Sequence, residues 1–411
     1  MKRVVFDDES YRHFFPLTYT RATADLRVGI LKLRQRINLF LNNDDNYLVV
    51  ADYLNDIYRE RHPDWFINQL PEDEVLLVNS CTKITKELAE RILALPLDHY
   101  LSCKGSLVAA RLEVDEQSLA AEQVESLLIG MREEVIEEPV LWEWLWNLIA
   151  ENGDYIKQDF DALFYDNDNK YDMETGVTVL DPYNVWIGED VKIKPGVVID
   201  ASSGPVVIDE GALLMPNCVI TGPVYIGKKS VIKAGATIYE NTSIGPVCKI
   251  GGEVESCIIQ GYVNKQHSGF LGHSYLGEWI NLGAGTSNSD LKNNYKPIKV
   301  HSIHHEEKIE TGMRFMGCLI GDHSKIGINS TINSGSVIGF GCNIYGETMV
   351  KDFIPNLRWG ESGKLYGYQK DKFFETVAMV KQRRGLSFSE SEKELYMKLE
   401  HLESDNKNKI I

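Results

Sequence analysis

Between Lys265 and Pro297 the chain gathers side chains able to do chemistry, in the run KQHSGFLGHSYLGEWINLGAGTSNSDLKNNYKP. Histidine titrates near neutral pH and is the usual general base for taking a proton from an attacking amine. His273 falls at a turn position of a six-residue repeat, where its side chain is expected to point out of the repeat's interior. A surface-turn histidine without a chemical role would look the same. Lys265 could hold a phosphate, or be a solvated surface lysine. Tyr275, Asn281 and Asn288 could bind sugar hydroxyls, although asparagine ladders at solenoid turns are common for structural reasons alone. The turn Gly283–Thr286 (GAGT) would let a ligand approach the backbone closely, or be no more than a tight corner.

Other polar groups are weaker candidates. His301, His304 and His305 would not converge if two share a strand face, and no Cys or carboxylate completes a zinc set at the usual spacing. A metal site is therefore not expected there. Asp322 and His323 are turn residues of the repeat, expected to be structural or to line a groove.

These residues sit on a six-residue beat. Ile208, Leu214, Ile220, Ile226, Ile232, Ile238, Ile244 and Ile250 recur at that interval, and Ile320, Ile326, Ile332, Ile338 and Ile344 resume it. Such a period marks a parallel β-helix, with the repeated aliphatic stacked in one apolar column. The coil is expected over 185–350, with interruptions at Glu253–Gly272 and at Ser287–Met316, the second a loop or hairpin. A polar linker over 166–184 precedes it and a helical tail over 351–411 follows, broken near Gly385.

Residues 1–165 read as a mixed α/β domain. Strands are expected near Val4, Tyr47, Glu74 and Leu107, and helices over Leu26–Leu41, Ile84–Leu93 and Glu138–Phe164. The 411 residues allow two or three domains, and the formal charge of −17 argues against nucleic acid as a partner. Seven scattered cysteines point to free thiols in a reducing compartment. No segment reads as a signal peptide or membrane span, so the cytoplasm is expected.

The run from Lys265 resembles the acetyltransferase half of the bacterial bifunctional N-acetylglucosamine-1-phosphate uridyltransferase family, and related sugar nucleotidyltransferases carrying a left-handed β-helix. The shared pieces are Lys265, His273, Tyr275-Leu276-Gly277, Asn281-Leu282-Gly283-Ala284-Gly285-Thr286 and Asn294-Tyr295. Here the step from His273 to the tyrosine is one residue shorter than in the family, and Asn294-Tyr295 arrives several residues later. The resemblance implies a left-handed coil and a homotrimer with sites between neighbouring coils. It implies acetyl-CoA as acyl donor, with the Ala284 N–H at the thioester, and His273 as the base that deprotonates an amino-sugar phosphate. Lys265, Tyr275, Asn281, Asn288 and Asn294 would be substrate-binding.

The N-terminal segment PLTYTRATADLRVGILKLRQR, from Pro16, resembles a divergent sugar nucleotidyltransferase group that lacks the usual glycine-rich loop. No glycine precedes Gly29. Arg21, Arg27, Gly29 and Lys32 are candidates for contacting the phosphates of a nucleoside triphosphate, against an equally simple reading as an amphipathic helix with exposed bases. The resemblance implies Mg²⁺ if this domain is active, with Asp7 or Asp8 as possible carboxylates. The expected function is acetylation of an amino-sugar phosphate, with possible nucleotidyl transfer onto a sugar phosphate for cell-envelope polysaccharide. A non-catalytic sugar-nucleotide-binding regulator and a trimeric structural scaffold are the alternatives.

Overall fold

The computed structural model describes residues 1–165, 169 and 174–408. Much of the linker expected over 166–184, namely 166–168 and 170–173, lies outside the described residues.

Short branched runs bounded by polar residues build the first domain. Its seven strands are β1 (Lys2–Phe6), β2 (Tyr47–Val49), β3 (Phe66–Ile67), β4 (Asp73–Asn79), β5 (His99–Cys103), β6 (Ser106–Val114) and β7 (Arg132–Ile136). They lie in the order β7-β5-β6-β4-β1-β2-β3. Helices α1 (Leu33–Leu41), α2 (Asn55–Arg61), α3 (Lys86–Leu93) and α4 (Leu145–Leu163) connect or cover them. β1 is parallel to β2 on one side and to β4 on the other. The chain thus runs outward through β2 and β3, then returns to the far side of β1. Such a reversal opens a crevice beyond the carboxyl ends of the two central strands.

Two expected helices are shorter than their sequence pattern. Over Leu26–Leu41 the helix begins only at Leu33, because Arg27–Val28 and Leu31–Lys32 form a small antiparallel hairpin. Gly29 turns that hairpin at φ +66°, and a Cβ there would fall 2.5–2.8 Å from Tyr155 and Asp159. Over Glu138–Phe164 the helix begins at Leu145. The stretch before it is tied to the domain as extended chain, with Lys83 N–H donating to the Val140 carbonyl and Trp142 N–H to that of Cys81.

The second half is a three-sided coil whose parallel sheets fit a left-handed β-helix. One inward column runs Ile208, Ile226, Ile244, Ile259, Leu276, Ile320, Ile338, Ile354, each directly above the last. All are buried, and full burial of such a side chain contributes roughly 1.5–3 kcal/mol. The regular step is 18 residues, three hexads, as from Ile208 to Ile226 to Ile244. Through Glu253–Gly272 the beat is lost but the coil is not. Ile244 to Ile259 takes 15 residues and Ile259 to Leu276 takes 17, because corners shorten while all three sheets continue. The first expected interruption is therefore a register change. The second is a true excursion, holding an antiparallel hairpin of β8 (Lys299–Ser302) and β9 (Glu307–Glu310).

The coil also extends past its expected limits. Thr178–Leu180 already pairs with Val198–Asp200, and after Val350 both Phe353–Ile354 and Arg358–Glu361 still stack on it. Helices α5 (Lys370–Gln382) and α6 (Glu390–Asn408) follow, with the break near Gly385 where expected.

One side of the coil is the floor of the first domain. Ile258, Tyr275, Leu319 and Val337 point outward into the same apolar cluster as Leu17, Tyr19 and Leu26, and Phe373 of α5 joins it. Buried polar groups lock this seam. Arg21 pairs with Asp322 through two hydrogen bonds of 3.0 and 2.5 Å, and Thr20 Oγ1 donates to the same carboxylate at 2.7 Å. Among the described residues no helix is long and apolar enough to cross a membrane. None of the seven cysteines is in a disulfide.

Candidate functional site

Successive coils put a left-handed corner residue at the same edge: Asn241, Ser256 and His273, with φ of 58°, 49° and 45°. The corner turns the His273 ring outward, as its place in the hexad suggests. Its Nδ1 lies 2.8 Å from Asp290 Oδ2, and both side chains are mostly shielded, at 17% and 15% exposure. Phe315 stacks on the imidazole at 5.1 Å. With Nδ1–H donating to the carboxylate, Nε2 is the nitrogen left to accept a proton, and the carboxylate would stabilise the imidazolium that forms. Glu255 stands nearby, its carboxyl pushed up by burial. Asp290 was not singled out in sequence, yet a signal existed: it follows His273 by 17 residues, about one coil.

The other expected substrate residues do not gather around that ring. Lys265 occupies the column position above Ile250 and is 2% exposed. Its Nζ donates to the carbonyls of Gly251 and Gly269 at 2.7 and 2.6 Å, and burial lowers its pKa to about 8. Tyr275 is fully buried in the domain seam, its hydroxyl accepting from the Arg27 N–H and donating to the Arg27 carbonyl. Asn288 caps the coil interior, bonding both the N–H and the carbonyl of Gly272. Asn294 lies on the excursion beside a shallow pocket that also has Lys292, Lys299 and Lys308. Ala284 is half-buried at its turn, where the next residue, Gly285, needs φ +75°.

Asn281 has a different setting. It accepts from Asn264 at 2.6 Å, and both line a cavity of about 320 Å³ between the coil and α5. Lys249, Lys325, Arg383 and Arg384 also line it, and Tyr262 and Trp279, stacked at 4.2 Å, form one wall. No carboxylate lines this cavity. Lys249 is held below the ordinary lysine range chiefly by Arg384, and burial brings Lys325 to about 8. Four basic side chains and no lining carboxylate make this cavity electropositive, a setting that favours an anion.

In the first domain, the crevice at the ends of β1 and β4 has a volume of about 290 Å³. Asp8, Ser10, Asn79, Lys104, Trp142 and Trp144 line it, with His13 at its side. Asp8 caps the short helix Glu9–Phe14 and accepts from Asn79 Nδ2 at 2.7 Å. Asp7 points elsewhere: it accepts from the N–H groups of Thr23 and Ala24 and from Ser80, and burial pushes its carboxyl up to about 7. Of the two carboxylates considered for a cation, Asp8 faces the crevice.

Arg21, Arg27, Gly29 and Lys32 do not line it. Arg21 faces Asp322, the Arg27 guanidinium donates to the Ile30 carbonyl, Gly29 packs against α4, and Lys32 pairs with Asp25 at 2.9 Å. Within the basic segment from Pro16, Arg21 ties the two domains together because the coil supplies its counter-charge, whereas Lys32, Arg34 and Arg36 pair with Asp25 and Asp159 of the first domain.

The histidine run also differs from expectation. His301 stands apart, stacked on Phe353, whereas His304 and His305 converge with His13, one ligand nitrogen from each lying within 4.8 Å of the others. The third histidine comes from the other domain, which spacing within the run does not reveal.

Residues 3–167 match the family model for sugar nucleotidyl transferases, and residues 205–240 match that for bacterial transferase hexapeptide repeats. A bifunctional sugar-1-phosphate nucleotidylyltransferase/acetyltransferase of Sulfurisphaera tokodaii is 35% identical over 164 residues, covering 40% of this chain and 39% of that protein. The bifunctional protein GlmU of Synechococcus elongatus is 31% identical over 205 residues, covering 45% and 41%. The chain therefore spans less than half the length of these curated relatives. Among solved structures, the UDP-N-acetylglucosamine acyltransferase of Francisella novicida is 17% identical, covering 52% of this chain and 72% of that one, with a TM-score of 0.30. The fold class is a nucleotidyltransferase-like α/β domain followed by a hexapeptide-repeat coil.

Proposed function

We propose that this protein is a transferase of sugar-nucleotide metabolism. In this reading the coil transfers an acetyl group from acetyl-CoA to the amine of an amino-sugar phosphate. The first domain binds a sugar phosphate and a nucleoside triphosphate in its crevice, with Mg²⁺ at Asp8, and forms a sugar nucleotide.

The observation that carries the acyl-transfer reading is the pairing of His273 with Asp290. An amine attacking a thioester must lose a proton, and a histidine whose other nitrogen is anchored on a carboxylate is equipped to take it at Nε2. The corner leaves that ring against Phe315 with a minor part of its surface exposed. A neighbouring coil in a homotrimer would supply the missing wall and the groove for acetyl-CoA, with the Ala284 N–H at the thioester. The basic cavity at Asn281 suits a phosphate group of one substrate. The relatives' names and the two family matches support a two-domain transferase.

The nucleotidyl-transfer reading rests on the crevice, where the reversal of strand order, Asp8 and an aromatic wall of Trp142 and Trp144 coincide. In a transferase of this kind Mg²⁺ would neutralise phosphate charge, and Asp8, supported by Asn79, is the residue positioned to hold it. Cytoplasmic supply of acetyl-CoA and nucleoside triphosphate goes with this reading.

The test is an assay of CoA release from acetyl-CoA in the presence of glucosamine-1-phosphate and other amino-sugar phosphates, with His273→Ala alongside. Turnover lost by about 10²–10⁴-fold in the variant is expected for a general base. No release with any amino sugar, or full activity in His273→Ala, would sink the proposal and favour a sugar-nucleotide-binding regulator.

A further inference from the structure

The turn of the β8–β9 hairpin carries His304 and His305 across to the first domain, where they meet His13 of the short helix Glu9–Phe14. Ring centroids lie 5.6 Å apart for His13 and His304, 5.2 Å for His13 and His305, and 4.7 Å for His304 and His305. We propose that His13, His304 and His305 form a binding site for a divalent transition-metal ion of the zinc class, pinning the hairpin to the first domain at the rim of its crevice.

Three independent features support this beyond convergence. The first is that His304 Nδ1 is buried with no hydrogen-bond partner. An orphaned buried ring nitrogen is uncommon and calls for an explanation, and a metal lone-pair acceptor is one. Second, one of the other rings is already anchored: His305 Nδ1 lies 3.0 Å from Ser302 Oγ. Metal-bound histidines are held in this way, with one nitrogen oriented by an oxygen and the other free for the ion. Third, the His13 ring lies flat on Trp144 at 4.6 Å, which restricts its rotation.

An all-imidazole set selects zinc, copper, nickel or cobalt over magnesium and calcium, which prefer oxygen. Tetrahedral ligation with metal–nitrogen bonds of about 2.0–2.1 Å needs ligand nitrogens roughly 3.4 Å apart. The present spread of up to 4.8 Å must therefore close by about 1.4 Å on binding, a movement asked chiefly of the hairpin histidines because His13 is stacked on Trp144. Three ligands leave a fourth position for water or a carboxylate. Without an ion the cluster is a group of tilted and edge-on rings, which accounts for the packing but not for the orphaned nitrogen.

The test uses full-length protein without a histidine tag, stripped with chelator and titrated with Zn²⁺ by calorimetry, with Mg²⁺ as a counter-probe. One Zn²⁺ per chain is expected and Mg²⁺ should be silent. His13→Gln should weaken binding by about 100-fold or more, above the 10–100-fold typical of losing a supporting group. His301→Gln, outside the cluster, should leave it unchanged. Absence of saturable Zn²⁺ binding, or binding that survives His13→Gln, would overturn the site. If the variants fold poorly, the visible spectrum of the unaltered protein with Co²⁺ decides. Intense tetrahedral bands support the site, and a weak octahedral spectrum rejects it.

Discussion

Asp290 Oδ2 lies 2.8 Å from His273 Nδ1, one coil further along the solenoid on the same edge. In Asp290→Asn the amide keeps the shape and can still accept a hydrogen bond, but it no longer offers a negative charge to an imidazolium. Acyl transfer should fall by about 10–100-fold or more in kcat while the fold is retained. Steady-state kinetics beside a circular dichroism spectrum check this. Unchanged turnover would make the pair structural.

Arg21 and Asp322 are both about 5% exposed and face each other across the domain seam. Removing one partner of a buried pair leaves an uncompensated charge, which costs about 3–5 kcal/mol. Arg21→Ala should therefore lower the urea midpoint sharply. A variant that unfolds like the parent but binds nucleoside triphosphate poorly would instead return Arg21 to phosphate binding.

Lys265 is a column residue whose ammonium satisfies backbone carbonyls inside the coil. Lys265→Met keeps the aliphatic stem and deletes the donors. It should destabilise the protein by about 1–3 kcal/mol, the cost of buried unsatisfied carbonyls. The KM for a sugar phosphate should move little. A large KM effect with unchanged melting temperature would contradict the placement.

The cavity at Asn281 concentrates Lys249, Lys325, Arg383 and Arg384. Pyrophosphate or CoA should raise the melting temperature of the parent at low salt. Arg384→Glu should abolish that shift, because it places a carboxylate in the wall formed by the end of α5 and the turn that follows it. Glucosamine-1-phosphate as a second probe separates a sugar-phosphate site from a CoA site. Stabilisation undiminished in Arg384→Glu would place the anion elsewhere.

His323 is buried with its Nε2 3.0 Å from the Tyr396 hydroxyl. Burial, then Lys325, Lys381, Arg21 and Arg61, hold its pKa well below 6.5. The folded state thus refuses a proton that the unfolded chain accepts. Stability from this group is complete above pH 6.5 and is lost as pH falls below that value. Urea midpoints measured from pH 7 down to 5 should decline, and His323→Gln, which can still reach Tyr396, should flatten part of the slope. An unaltered slope in the variant would assign the decline to other groups.

Periodicity alone made the coil legible, because every aliphatic from Ile208 to Ile250 must face the same interior when strands stack. The same reasoning carries further than the hexad. An aspartate about one coil after His273 belongs beside it, so Asp290 was within reach of coil-length arithmetic, whereas Lys265 follows Ile250 by a shortened coil of 15 residues that the hexad does not reveal. Hydrophobic pattern also located β1, β2, β4 and β6, since buried strands must be apolar and short.

What the sequence could not supply was which surfaces meet. The order of the seven strands, and with it the crevice at Asp8 and Asn79, depends on which way the chain turns after β3. Arg21 and Asp322 are 301 residues apart, and His13 is nearly as far from His304 and His305. A basic segment reads the same whether its counter-charge is a phosphate or a buried aspartate. Only packing one face of the coil against the first domain, driven by Ile258, Tyr275, Leu319 and Val337, brings those distant groups together and decides between them.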